Sequence, residues 1–115
     1  MEKDLQVKKE SRCFDILSQV YENKTFSNSG MITLPKQWRQ RFGLIPGRLA
    51  ELIYQNDSIY IKPARKHTTN NKRYVSEKGT VHIPKELRDE MGITPQDSYT
   101  LHINEEQRCF ILTCE

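Results

Sequence analysis

The feature that most constrains this chain is the pattern Gly-x-x-x-x-Pro-Lys-x-x-Arg-x-x-x-Gly-x-x-Pro, which occurs twice, 49 residues apart. Gly30, Pro35, Lys36, Arg39, Gly43 and Pro46 set the first copy, and Gly79, Pro84, Lys85, Arg88, Gly92 and Pro95 repeat it. A unit of about 45 residues hides too little apolar surface to fold alone. The two copies must therefore share a core, with each other or across a dimer. The full 115 residues have the size of one domain.

Each copy reads in the same order. Thr25 and Phe26 are strand formers, Asn28, Ser29 and Gly30 make a turn, and Met31 to Leu34 return as a strand, so the expectation is a short hairpin. Pro35 suits the first helical position, where its missing N–H is not needed. Trp38 and Phe42, four apart, give a buried stripe and leave Lys36, Gln37, Arg39, Gln40 and Arg41 on the outer face. Gly43 can end the helix in the left-handed conformation, with Leu44 as the hydrophobic contact of a Schellman stop. Pro46 and Gly47 read as a type II turn. Alternation at Ala50, Leu52 and Tyr54, a turn at 55–58 and Ile59 to Ile61 then give a second hairpin. In the second copy Val81, Ile83, Leu87 and Met91 take the apolar places, Pro95, Gln96 and Asp97 replace the Pro-Gly turn, and residues 98–112 form the closing strands. The pattern predicts two tandem ββαββ repeats, mainly β with short helices.

The flanking stretches read differently. Ahead of the repeats, Cys13, Phe14, Ile16, Leu17, Val20 and Tyr21 fit a helical stripe begun at Ser11, although Phe14, Ile16, Ser18 and Val20 also alternate as a strand would. Residues 1–22 are expected to be an extension carrying an amphipathic helix. Residues 64–71 hold Arg65, Lys66 and His67 with nothing apolar larger than Ala64, and read as a basic polar linker between repeats at 23–63 and 72–115. About ten extended residues reach on the order of 30 Å, enough to cross a small barrel. Residues 23–115 are thus expected to be one folded unit.

Charge points to the partner. The net +3 is distributed as −1 over residues 1–23, +4 over 24–62, +4 over 63–73 and −4 over 74–115. A basic block suits a polyanion. Cys13, Cys109 and Cys114 form no CxxC pair and are odd in number, which argues against a disulfide framework. With His67, His82 and His102 on different elements, no metal-ligand spacing occurs and no cofactor is expected. No nucleophile–base pairing or phosphate-cradling glycine loop suggests an enzyme. No run of about 18 apolar residues predicts a membrane span, and the charged start lacks a signal peptide's apolar stretch, so the expected location is the cytoplasm.

The doubled spacing, followed each time by a hairpin, resembles the AbrB/MazE/SpoVT family of swapped-hairpin DNA-binding proteins over residues 23–63 and 72–112. The resemblance implies a swapped-hairpin, double-psi-like β-barrel formed by interleaved hairpins. Two copies in one chain are similar to the MraZ arrangement, without the Asp-x-x-x-Arg motif of MraZ at the matching places. It also implies a nucleoid-associated regulator of transcription, bacterial or phage-like, that binds double-stranded DNA through basic residues of the hairpins and short helices. Carried over residue by residue, those are Lys24, Arg39, Arg73 and Arg88, then Lys36, Arg41, Lys78 and Lys85. Phosphate contacts by such residues supply affinity, and arginine can also read guanine. Asp89 and Glu90 beside Arg88, where the first copy has Gln40 and Arg41, make the first copy the expected stronger contact. The alternative is an antitoxin or protein-binding inhibitor that uses the barrel as a scaffold and residues 1–22 as a docking element. A homodimer or higher oligomer is compatible with either.

Overall fold

The computed structural model describes the backbone from Leu17 to Cys114 and the side chains from Lys24 onward. The chain runs β1 (Leu17–Thr25), β2 (Met31–Thr33), α1 (Lys36–Phe42), β3 (Leu49–Gln55), β4 (Ser58–Pro63), β5 (Asn71–Tyr74), β6 (Thr80–His82), α2 (Lys85–Met91), β7 (Ser98–Asn104) and β8 (Cys109–Cys114). A six-stranded antiparallel sheet has the order β1-β7-β8-β4-β3-β5, and β2 pairs with β6 as a separate ribbon. The result is a mostly β, swapped-hairpin fold with two short helices and a curled half-barrel sheet.

The expected first hairpins do not close on themselves. β1 pairs with β7, β5 with β3, and β2 with β6, so each opening strand finds its partner in the other half of the chain. Backbone contacts beyond the ladders repeat the exchange. Phe26 N donates to Asp97 O at 2.8 Å and Gln96 N to Phe26 O at 3.0 Å, while Val75 N donates to Arg48 O and Gly47 N to Val75 O, both at 2.9 Å. Leu34 N donates to Gly79 O at 2.9 Å and Ile83 N to Gly30 O at 2.8 Å. A strand of three residues offers too few ladder bonds for a stable local hairpin. Exchange satisfies the same backbone groups while bringing Ile32 and Val81 into one core with Leu52, Ile61, Leu101 and Phe110.

The helices end as their sequence requires. Gly43 and Gly92 are left-handed at φ 81° and 78°, and Leu44 N and Ile93 N reach back to Arg39 O and Arg88 O at 2.8 and 3.1 Å. Pro35 and Pro84 sit one residue earlier than expected, as N-caps with extended ψ of 131° and 147°. Phe42 is buried against Phe110, with ring centres 5.4 Å apart, and Trp38 is half-buried beside it. The last strand faces Phe110 and Leu112 inward.

Two expectations fail on the flanks. Residues 17–22 belong to strand β1, not to a helix, and the rest of the anticipated helix, residues 11–16, lies outside the described residues. β7 would otherwise expose an edge of unpaired N–H and C=O groups, and that demand outweighs a helical stripe equally readable as alternation. β1 meets it in a broken register, with irregularities between Gln19 and Tyr21 and between Tyr21 and Lys24.

The stretch expected to be a linker is instead a folded clamp. β4 and β5 flank β3, so residues 64–70 need cross only two strand spacings, about 10 Å. They do so over Glu51, a carboxylate with no exposed surface. Arg65 N donates to Glu51 Oε1 at 2.9 Å, Arg65 Nη2 to Oε2 at 2.9 Å, and Asn70 Nδ2 to Oε2 at 2.7 Å. Burial alone would push the Glu51 carboxyl upward. The Arg65 side chain and N–H, with Asn70 and Thr68, more than offset it and hold the group at about 2.

Candidate nucleic-acid interface

The ribbon β2–β6 carries a turn at each end of its exchange, residues 27–30 before β2 and 76–79 before β6. Each is organised by a serine 49 residues from its twin. Ser27 Oγ accepts from Met31 N at 3.2 Å, and Ser76 Oγ accepts from Lys78 N at 3.2 Å and Thr80 N at 3.0 Å. Both turns end on a left-handed glycine, Gly30 at φ 77° and Gly79 at φ 81°. Against each glycine lies the arginine of the other half's helix. A Cβ at Gly79 would fall 2.6 Å from Arg39 Cζ, and one at Gly30 would fall 3.3 Å from Arg88 Nη1. The glycines are required twice over, by φ and by the side chain packed on them.

These contacts correct the expectation that Arg39 and Arg88 lie on the outer faces of the helices. Arg39 is 8% exposed, and its Nε donates to Leu34 O at 3.2 Å. Its guanidinium is a bracket between α1 and the turn at Gly79. Arg88 is half-buried, and its Nε is enclosed without a hydrogen-bond partner. The helical stripe places both correctly by angle. The side chains then fold back over a neighbouring glycine that only the strand exchange brings near. The first copy thus loses its central cation to the core, contrary to the expected ranking.

Around Arg88 a cluster forms that the sequence reading did not assemble. His82 Nε2 lies 3.3 Å from the same point beside Gly30 that Arg88 Nη1 approaches. Burial first, then the positive charges of Arg73 and Arg88, push the His82 imidazole below its ordinary value. Arg73 and His82 are both half-buried. The only sequence signal was that His82 stands 49 residues after Thr33, on a strand between two matched basic residues.

The remaining candidates divide by their partners. Lys24, Lys36 and Lys78 are exposed, at the end of β1, the start of α1 and the second turn. Among the described residues, no carboxylate pairs with Lys36, Arg73, Lys78 or Arg88. Arg41, by contrast, lies 3.5 Å from Glu105 and 5.1 Å over the Trp38 ring, and Lys85 pairs with Asp89 at 3.0 Å. Lys85 and Asp89 are four apart on α2, a pairing the spacing itself allows, whereas Arg41 and Glu105 meet only through the fold. Glu86 and Glu90 line an open groove of about 390 Å³ with Tyr54, Asn70 and Asn71. That acidic side of α2 repels a polyanion.

A swapped-hairpin fold with a glycine-turned ribbon edged by unpaired cations defines the class. Residues 24–69 match the family model described as "Antidote-toxin recognition MazE, bacterial antitoxin", of the AbrB/MazE-type swapped-hairpin superfamily. The matched stretch takes in the first turn, α1 and the β3–β4 hairpin. No curated protein and no solved structure matches the chain significantly.

Proposed function

We propose that this protein is a DNA-binding regulator of transcription of AbrB type, acting by binding and not by catalysis, with two tandem copies of the fold in one chain. The observation that carries the reading is the sorting of cations. Of the candidate cations, Arg41 and Lys85 are paired with Glu105 and Asp89, whereas Lys36, Arg73, Lys78 and Arg88 have no carboxylate partner among the described residues; Arg48, Lys62, Lys66, Lys72 and Arg108 lack one as well. Unneutralised cations are what phosphate binding needs. Their placement beside glycine turns, where backbone can approach closely, favours a duplex over a small anion. Cytoplasmic, nucleoid-associated action is part of this reading; no described helix is long and apolar enough to cross a membrane.

The test is affinity for a random duplex pool as salt is raised. Each phosphate contact contributes about −0.9 to the slope of log K against log salt. Arg73→Ala and Lys78→Ala should each flatten that slope by about 1. Absence of binding at low salt would overturn the reading.

A second reading has its own support, because the matched model describes an antitoxin. In it the barrel is a scaffold that carries a toxin-binding segment, with residues 1–22 as the docking element. Stoichiometric co-purification of a protein partner, lost on substituting residues 1–22 and accompanied by no affinity for duplex, would select it. Family domains of this type form oligomers. Here every opening strand is paired within the chain, so a monomer in solution is sufficient for the fold and a dimer would add a second reading head.

A further inference from the structure

The geometry points to a phosphate-binding pocket beside Gly30, built by His82 of β6 and Arg88 of α2 with the charge of Arg73 on β5 nearby, in which His82 takes a proton from solvent as the phosphate enters. This rests on the nucleic-acid reading and specifies one contact within it. Side chains from two elements, His82 of β6 and Arg88 of α2, converge on Gly30, and Arg73 of β5 holds its Nη1 on Lys72 O at 2.7 Å. His82 Nε2 and Arg88 Nη1 each come to 3.3 Å of the site a Cβ would fill at Gly30. Arg73, on the edge strand, is near enough to act on the imidazole by charge.

Nothing around the cluster neutralises it. No described carboxylate pairs with Arg73 or Arg88, and Arg88 Nε is enclosed with an unused donor. Opposite His82 on β2 stands Met31, which carries no charge, and the turn at 27–30 before it holds no charged residue, its Ser27 and Ser29 hydroxyls bonding each other at 3.0 Å. Among the described residues, the charged groups acting on His82 are the Arg73 and Arg88 guanidiniums. Such a cluster is self-repelling when empty and favourable around a doubly shared anionic oxygen. Burial and the two arginines disfavour the imidazolium in the free protein. A phosphate screens both arginines and adds its own charge, so the imidazolium becomes the favoured form.

The other half of the chain cannot do the same. The matching positions hold Lys24, Thr33 and Arg39, and Thr33 cannot take a proton. Arg39 is committed to Leu34 O and packed hard on Gly79. One chain therefore has one proton-linked phosphate contact, on the side of the second copy's helix.

The experiment uses the full chain and a random duplex at fixed low salt, from about pH 5.5 to about pH 8. One linked proton gives at most about tenfold tighter binding per pH unit. Wild type should tighten about fivefold or more across the range, while His82→Gln should stay near the weaker, high-pH value. His82 is half-exposed, so the variant should fold. In parallel, proton NMR of the His82 ring should show its pKa rise on adding inorganic phosphate or duplex. A response to both means the pocket takes phosphate as such, and a response to duplex alone means it needs the backbone context. The pocket is overturned if His82→Gln keeps the full pH dependence, or if neither ligand moves the His82 resonances. Absent duplex binding with a phosphate-induced shift would sink the transcription reading and leave the pocket standing.

Discussion

Removing the Arg65 side chain should uncouple a buried charge from its partner. Glu51 is fully buried, and its carboxyl titrates at about 2 against an ordinary 4.5. At roughly 1.4 kcal/mol for each pH unit between the two values, the charged form contributes about 3 kcal/mol to folding. The folded value is depressed, so this stability is complete above about pH 5 and is lost as pH falls from there toward 2. Arg65→Ala deletes the 2.9 Å Nη2 bond and the weaker Nε bond but keeps the 2.9 Å bond from the Arg65 N–H and the 2.7 Å bond from Asn70. Because two hydrogen bonds remain and Arg65 is about two-thirds exposed to screening water, the loss should be only part of the Glu51 contribution, about 1–2 kcal/mol at pH 7. Urea unfolding at pH 7 and pH 3 measures it, for wild type, Arg65→Ala, Glu51→Gln and the double variant. The cycle should give a coupling of about 1.5 kcal/mol at pH 7 that falls by about a third at pH 3, because a carboxyl held at about 2 is still mostly ionised there. A coupling under about 0.5 kcal/mol at pH 7, or one unchanged at pH 3, would refute the clamp.

Three further outcomes follow from the geometry. Gly79→Ala should lose about 2–4 kcal/mol in urea unfolding, against about 1 kcal/mol for Gly43→Ala, because both glycines have φ +81° but only Gly79 has a side chain packed on it. Gln96 holds φ +81° at the position matching Gly47, so Gln96→Gly should raise stability by about 1 kcal/mol in the same assay. Arg39→Ala should lower stability by about 2 kcal/mol and leave the salt dependence of DNA binding unchanged, the reverse of Lys78→Ala; equal effects on affinity would return Arg39 to the binding surface.

Legibility in the sequence followed the range of the interaction. The helix stops at Gly43 and Gly92 and the stripe from Trp38 to Phe42 rest on neighbours within four residues, and they read correctly. So did the hairpins β3–β4 and β7–β8, whose turns are local. β1 was misread because its apolar residues fit two periods, and only the distant edge of β7 chooses between them. The segment 64–70 looked like a linker because its residues are polar, yet Arg65 and Asn70 serve a carboxylate 14 and 19 residues away. Of the candidate site, the identities of the basic residues were visible, whereas their sorting into paired and unpaired was not. Arg41 meets Glu105 across 64 residues of chain, and no spacing rule spans that distance.

By itself, the sequence determined that one Gly, Pro-Lys, Arg, Gly, Pro spacing recurs 49 residues apart, that two short helices end on glycines, and that positive charge is concentrated in residues 24–73. Those features depend on local torsion preferences, period and composition. The tertiary structure alone decided that the halves exchange their first strands, that Arg39 is a bracket, and that His82 and Arg88 meet at Gly30. Each of these depends on which surfaces come together when two incomplete cores merge. A repeat of this length can state its own elements, but not what lies opposite them.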